Sequence, residues 1–167
     1  MVDTGFGGDG ATKPVPLVSG LAIHNLGTQE IRLIQDNIPE QVDKSRLYWI
    51  YQYRNAPDVP WNSYYAFPEW EFSETDFSII NYWASACPQS FQTFTVLVVK
   101  FLRTGDQITG KVMLINDTLK QNLGGKTEVV AVFKSESERT KALERYFGLM
   151  LTLEEQSGIG GHVTEIK

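Results

Sequence analysis

The chain has 167 residues, a formal net charge of −5 and an isoelectric point near 5.0. That length fits one compact domain, and 42% hydrophobic with 21% charged residues is typical of a globular protein, which excludes wholesale disorder. The acidic balance without a Lys/Arg run argues against a nucleic-acid partner, and Phe94–Val99, the longest uncharged apolar stretch, is far shorter than the roughly 20 residues of a membrane span.

The first part of the chain predicts a flexible arm followed by strands. Residues Met1–Pro14 contain four Gly and few apolar side chains, which indicates a flexible N-terminal arm. The short apolar runs Leu17–Ile23 and Ile31–Ile34 are separated by a turn around Gly27, so they can pair as a hairpin. The segment Leu47–Tyr53 has β-branched and aromatic residues at both odd and even positions. This pattern suits a strand that is covered on both faces.

A loop and a short helix are predicted next. Three prolines punctuate the loop: Pro57, Pro60 and Pro68. The run Ser73–Asp76 has a capping serine and two acids in a first turn, so it predicts a helix start. This central helix is expected to run through Trp83 and to end before Pro88.

The second half predicts a meander and a long helix. Three apolar runs, separated by turn sequences, read as antiparallel strands: Phe94–Leu102, Lys111–Ile115 and Glu128–Phe133. Ser135 and Glu138 then fit a capping box. Apolar residues follow at helical spacing: Ala142, Leu143, Tyr146, Phe147, Met150 and Leu153. They predict one amphipathic helix that ends near Gln156, with Gly148 weakening it by roughly 1 kcal/mol.

This meander and helix, with the Gly124-Gly125 turn, a Val-rich strand and the Ser135/Glu138 cap, resemble the closing half of helix-grip domains. The resemblance covers about sixty residues and implies an apolar cavity closed by the helix. Overall, the sequence predicts a single α+β domain over residues 15–156. It would hold an antiparallel sheet of about five or six strands, a short central helix and a long C-terminal helix packed on one face. Residues 157–167 are predicted to be a flexible tail.

The aromatic residues are concentrated in one segment that lies against an acidic one. Ten of the twenty aromatics fall between Tyr48 and Phe72, and residues 55–99 carry five acids and no Lys, Arg or His. Candidate binding residues are Trp61, Tyr64, Tyr65, Trp70, Glu69 and Glu71. Rings beside carboxylates can bind a sugar, a cationic ligand or a protein surface. The alternative is that the rings are ordinary core.

No residue set predicts a catalytic or metal site. Glu69 and Glu71 would lie roughly 7 Å apart in an extended segment, a spacing suited to paired glycosidase carboxylates, but an acidic rim is the simpler interpretation. His24 is interpreted as structural, and with His162 as the second imidazole no zinc ligand set is present. Cys87 lacks neighbouring bases and is interpreted as a small buried hydrophobe.

The sequence therefore predicts a non-catalytic interaction module that binds a protein partner, or a second copy, through the segment 48–72. The alternative is a small-molecule or carbohydrate-binding cavity protein or enzyme whose aromatic-lined pocket is closed by the C-terminal helix. We expect no cofactor, no nucleic-acid partner and no transmembrane segment; a sugar or a cation stays open as a ligand. A single cysteine favours a cytoplasmic location, with a processed secreted form as the alternative.

Overall fold

The computed structural model describes residues 10–167. Its strands form two four-stranded antiparallel meanders, each in chain order. The strands are β1 Ile23–His24, β2 Glu30–Asp36, β3 Tyr48–Arg54, β4 Asn62–Phe67, β5 Leu97–Thr104, β6 Gln107–Ile115, β7 Thr118–Leu123 and β8 Lys126–Val132. The helices are α1 Glu74–Ala86, α2 Phe91–Phe94, α3 Glu136–Ala142 and α4 Leu153–Ser157, with a π-helical turn at Leu143–Phe147.

The chain divides into two compact units. The first contains the described residues up to Glu71, together with the hairpin tips Arg103–Gly110 and Leu123–Lys126. The second contains Phe72–Leu102, Lys111–Asn122 and Thr127–Lys167.

The core of the first unit lies on one face of its sheet. Alternate residues of β2 and β3 point to that face and are buried: Ile31, Leu33, Trp49 and Tyr51. The register pairs Leu33 with Tyr51 and Ile31 with Tyr53, which places these side chains next to each other across the strands. The β2–β3 pair therefore provides the packed centre of this unit.

The predicted strand count is wrong because the segment 55–72 is not a loop throughout. Its middle forms β4, which pairs with β3, and Pro60 and Pro68 stand outside the strand ends. A bulge between Tyr51 and Gln52 shifts the register, so Tyr51 faces Tyr65 and Gln52 faces Ser63. Proline has no N–H to donate to a neighbouring strand, so it is disfavoured inside a strand but is compatible with a strand boundary.

The predicted long C-terminal helix is also wrong. Helix α3 passes into the π-helical turn, and Gly148 then adopts a left-handed conformation, with φ 75°, that ends the helix. The short helix α4 starts afresh at its own Thr152/Glu155 capping box. The helix-grip expectation therefore fails, because the element that would close the cavity is broken into separate pieces.

In the second unit the buried apolar residues are Val112, Met113 and Leu114 of β6, Leu119 of β7 and Ala142 of α3. The predicted start of α1 at Ser73 is present, with a complete Ser73/Asp76 capping box. In the part of the chain that is described, no helix is long and apolar enough to cross a membrane. Residues 1–9 of the predicted N-terminal arm lie outside the described residues.

Candidate functional site

The tyrosines of the predicted binding segment belong to the packed sheet. Tyr65 stacks on the buried Tyr51, with ring centroids 5.0 Å apart and planes 7° from parallel. Tyr64 meets Tyr53 edge to face at 5.7 Å and keeps about 40% of its surface exposed. The predicted core alternative therefore describes Tyr65, while Tyr64 forms the rim of the same ladder.

Trp61 lies beside two guanidinium groups. Its ring centre is 4.2 Å from Arg32 and 4.5 Å from Arg54, both within cation–π range. Arg54 donates through Nε to Glu30 at 2.6 Å, whereas Arg32 donates through Nε to Gln52 at 2.9 Å. Burial, and then the neighbouring Arg54 charge, lower the pKa of Arg32 from its usual value.

Trp70 and Glu69 lie at the other end of the β3–β4 pair. The Trp70 ring is 6.5 Å from that of Tyr48 and 5.9 Å from the Arg46 guanidinium. Glu69 accepts a hydrogen bond from the indole nitrogen of the buried Trp49. Its carboxylate is thus used in packing, and the predicted binding role of Glu69 and the exposed Glu71 stays an untested prediction.

The six predicted binding residues therefore occupy different parts of one hairpin. Phe67, which lies two residues before Glu69, pairs with Trp49, whereas Asn62, directly after Trp61, pairs with Tyr53. Four residue steps along β3 lead from Trp49 to Tyr53, which corresponds to about 13 Å. The six residues are close in sequence and were predicted as one cluster, but the extended strand β4 places them at opposite ends of the β3–β4 pair.

Histidine and cysteine make local contacts only. His24 bonds the carbonyl of Gly27 within its own turn. The half-buried Cys87 directs its thiol toward Gln89 Oε1 at 2.9 Å, just after α1. Among residues 10–167 no group of His, Cys, Asp and Glu side chains could hold a metal ion.

The second unit contains a cavity of about 410 Å³ that sequence reasoning missed. It lies among the α2–β5 connection, α3 and the C-terminal residues, and its walls include Val96, Leu143, Leu151 and Ile159. This volume is in the usual range for a small-molecule site. The lining comes from three separate stretches of chain, so no single motif could have revealed it.

A buried arginine forms the polar side of this cavity. Arg139 is 3% exposed and binds both carboxylate oxygens of Glu136 through Nε and Nη2. Its Nη1 donates to the carbonyls of Asn116 and Thr164. His162, also at the wall, shares a 2.8 Å contact between Nδ1 and Thr164 Oγ1. Arg139 therefore holds the cavity wall in place, because four of its five N–H donors are bonded to other parts of the chain.

Comparison with known families accounts for this architecture. The family model described as N-acetyltransferase matches residues 1–156. The chain belongs to that family. An N-malonyltransferase from Fusarium pseudograminearum is 31% identical over 169 residues, which cover 95% of this chain and 49% of that protein. An arylamine N-acetyltransferase from Escherichia coli is 29% identical over 109 residues, covering 65% of this chain and 34% of its own length.

Solved structures agree with the family. The arylamine N-acetyltransferase from Salmonella typhimurium superposes with a TM-score of 0.73 at 27% identity, over 94% of this chain and 54% of that one. The Mycobacterium marinum enzyme, solved in complex with CoA, shares the fold with a TM-score of 0.60 at 17% identity, over 79% of this chain and 42% of that one. The chain thus spans about half the length of these relatives.

Family membership corrects the predicted function. The interpretation as a non-catalytic module for protein binding or self-association is wrong, because the N-acetyltransferase family is a family of enzymes. The alternative, an enzyme with a small-molecule pocket, is the better supported one. No sequence pattern that we considered signals acyl transfer, so composition and spacing alone could not have found it.

Proposed function

We propose that this chain acts in an N-acyltransferase that moves a small acyl group from an acyl-CoA to an amine. The observation that carries the proposal is the family match over residues 1–156, supported by similarity to an N-malonyltransferase along 95% of the chain. In the net reaction the amine nitrogen forms a bond to the thioester carbonyl carbon. The carbon–sulfur bond breaks, and CoA leaves as the thiol with the proton lost by the amine.

The cavity of the second unit is the proposed place for the apolar part of a substrate. Its aliphatic wall suits an aromatic amine or the pantetheine arm of CoA, and Arg139 together with Glu136 keeps that wall in place. The proposal also replaces the sugar or cation that the sequence left open. A cytoplasmic location stays a proposal, since acyl-CoA is an intracellular metabolite and the single cysteine fits a reducing compartment.

Amine-dependent release of the CoA thiol tests the activity. The chain is assayed with acetyl-CoA and malonyl-CoA, alone and with the part of the Fusarium pseudograminearum enzyme that it does not match. We expect thiol release that requires both the amine and this chain. Release that is independent of the amine, or none with either donor in the combined sample, would contradict the proposal.

A cavity-filling substitution tests the location. Leu151→Trp places an indole into the cavity, whereas Met150→Trp at the adjacent position, 79% exposed, points it to solvent. We expect Leu151→Trp to raise KM at least about tenfold with kcat and melting temperature retained, since lost binding alone leaves kcat unchanged. Equal KM values for the two variants would place the substrate elsewhere.

A further inference from the structure

The first unit contains a cleft of about 310 Å³ near the start of β3 and the end of β4. We call it the Trp70 cleft. Its walls come from the loop between β2 and β3, the first residue of β3 and one residue after β4: Gln41, Val42, Asp43, Arg46, Tyr48 and Trp70. Its volume is at the lower end of the range for small-molecule sites, so the cleft suits a compact ligand.

The loop that forms one side of the Trp70 cleft is fixed by its own side chains. Asn37 Nδ2 donates to the carbonyls of Lys44 and Arg46 at 3.3 and 3.1 Å. Gln41 Nε2 donates to the carbonyls of Asp43 and Arg46. Compact surface loops held together in this way are frequently functional. A loop that is already fixed loses little conformational entropy when a ligand binds, so this wall is preorganised.

Two aromatic rings meet at an angle in the cleft. The centroids of Tyr48 and Trp70 are 6.5 Å apart, and the ring planes are tilted by 54°. Trp70 is 57% exposed, whereas the adjacent Glu69 is bonded to the indole of the buried Trp49, which holds this part of the chain on the sheet. The two rings therefore offer an accessible surface against which a planar apolar group can pack.

Two opposite charges lie beside these rings. The Arg46 guanidinium is 5.9 Å from the Trp70 ring centre, and its Nε is 3.9 Å from Asp43 Oδ2. An exposed ion pair of this length contributes little to stability, so either group can exchange it for a ligand. Asp43 Oδ1 accepts hydrogen bonds from the Ser45 hydroxyl at 2.6 Å and the Ser45 amide at 2.9 Å. These bonds lower the pKa of Asp43 and leave its Oδ2 to a partner.

We propose that the Trp70 cleft binds a free aromatic α-amino acid as its zwitterion. The ligand ring packs between Tyr48 and Trp70, its carboxylate accepts hydrogen bonds from Arg46, and its ammonium donates to Asp43 Oδ2. The two charged groups of an α-amino acid are attached to one carbon, which matches the neighbouring positions of Arg46 and Asp43. An aromatic acid without the ammonium would meet the Asp43 charge, and an aromatic amine without the carboxylate would meet the Arg46 charge. The inference rests on the first unit alone and is independent of the proposed acyl transfer.

A titration with L-phenylalanine tests the site. The full chain is labelled with ¹⁵N, and the indole N–H signals of its four tryptophans are followed by NMR. We expect a saturable shift of the Trp70 signal, with those of Trp61 and Trp83 unchanged. Alanine, 3-phenylpropionate and phenethylamine lack the ring, the ammonium and the carboxylate, respectively. Each is expected to bind at least about fivefold more weakly, because each loses one set of contacts.

Two variants assign the charged contact. Arg46→Gln should abolish the preference for L-phenylalanine over phenethylamine, since that preference depends on the carboxylate contact. Arg103→Gln is the matched control, because Arg103 forms a similar exposed pair with Asp106 at 3.8 Å, outside the cleft. It is expected to bind like wild type. Both arginines are more than 60% exposed, so both variants should keep the wild-type melting temperature.

Three results would overturn the proposal. The first is a Trp70 signal that does not shift, or that shifts together with those of Trp61 and Trp83, as in non-specific association. The second is equal affinity for L-phenylalanine and its analogues. The third is an Arg46→Gln variant that still prefers L-phenylalanine over phenethylamine as strongly as wild type does.

Discussion

At the scale of single residues, Gly27 shows how one position determines a loop. It has φ 57°, and a Cβ built on it would lie 2.2 Å from the Gly124 carbonyl carbon. The β1–β2 turn and the β7–β8 turn therefore approach each other at a point where only glycine fits. His24, which the sequence indicated as a structural histidine, bonds the Gly27 carbonyl and holds the same turn.

Two alanine substitutions separate crowding from backbone strain. Gly105 has nearly the same φ, 59°, but open space around it. We expect Gly105→Ala to lower the free energy of unfolding by about 1 kcal/mol, the usual strain of a left-handed residue. Gly27→Ala should cost at least about 2 kcal/mol more, since backbone atoms must also move apart. Urea denaturation measures both, and equal losses would show that the two turns do not touch in solution.

At the scale of elements, the sequence predicted what is locally encoded. The strand at β3, the Ser73 cap of α1 and the Ser135 cap of α3 follow from patterns within a few residues, and the structure contains each. The prediction failed where a turn was not recognised. Asn116-Asp117 is a tight turn between β6 and β7, with Asn116 at φ 53°, but the sequence was interpreted as one strand ending at Ile115, so β7 was missed.

The candidate site was less predictable than the strands. Trp61 and Trp70 are close in sequence, but β4 separates them, and each packs on arginines from other segments. The second-unit cavity depends on Arg139 reaching the carbonyls of Asn116 and Thr164. Contacts between residues that are far apart in sequence cannot be predicted from a local sequence pattern.

The cap of α1 predicts a pH dependence. Hydrogen bonds from the Ser73 backbone and hydroxyl lower the pKa of Asp76. The cap therefore stabilises the fold above the unfolded-state pKa of this carboxyl, and that contribution is lost as pH falls through the lowered, folded-state pKa. We expect Asp76→Asn to melt earlier than wild type at pH 7, with the difference vanishing in acid.

Glu74→Gln is the matched control for this cap. It removes a charge from the same helical turn without touching the Ser73/Asp76 pair. Melting curves of wild type and the two variants between pH 2 and pH 7 give the comparison. If Asp76→Asn and Glu74→Gln show the same pH profile, the capping bonds do not contribute to stability.

Arg139 holds the C-terminal residues onto α3. Arg139→Leu leaves Glu136 without its buried partner and frees the Thr164 carbonyl, so we expect a loss of about 3 kcal/mol and faster exchange of amides 158–167. Arg145→Leu is the control, because Arg145 is exposed and its guanidinium lies over the adjacent Tyr146 ring. Hydrogen exchange with mass spectrometry measures the amides of both variants. Unchanged exchange in Arg139→Leu would show that other contacts hold the tail. The same measurement on wild type tests the predicted flexibility of residues 157–167.

At the scale of the whole molecule, family membership accounts for the architecture of two four-stranded sheets, which the sequence did not predict. The chain spans about half the length of its N-acetyltransferase relatives. The aromatic segment 48–72, which suggested a binding surface, is divided between the buried Trp49 and Tyr51 of β3 and exposed rings such as Trp70 and Phe72.

Transfer of an isotopically labelled acyl group is the decisive measurement for the proposed N-acyltransferase activity. The chain, together with the remaining part of the Fusarium pseudograminearum enzyme, is incubated with deuterated acetyl-CoA or labelled malonyl-CoA and an aromatic amine, and the amine is analysed by mass spectrometry. Omitting this chain gives the background. We expect an N-acyl amine that carries the label and forms only when this chain is present. Free labelled acid together with unmodified amine would identify hydrolysis and contradict it.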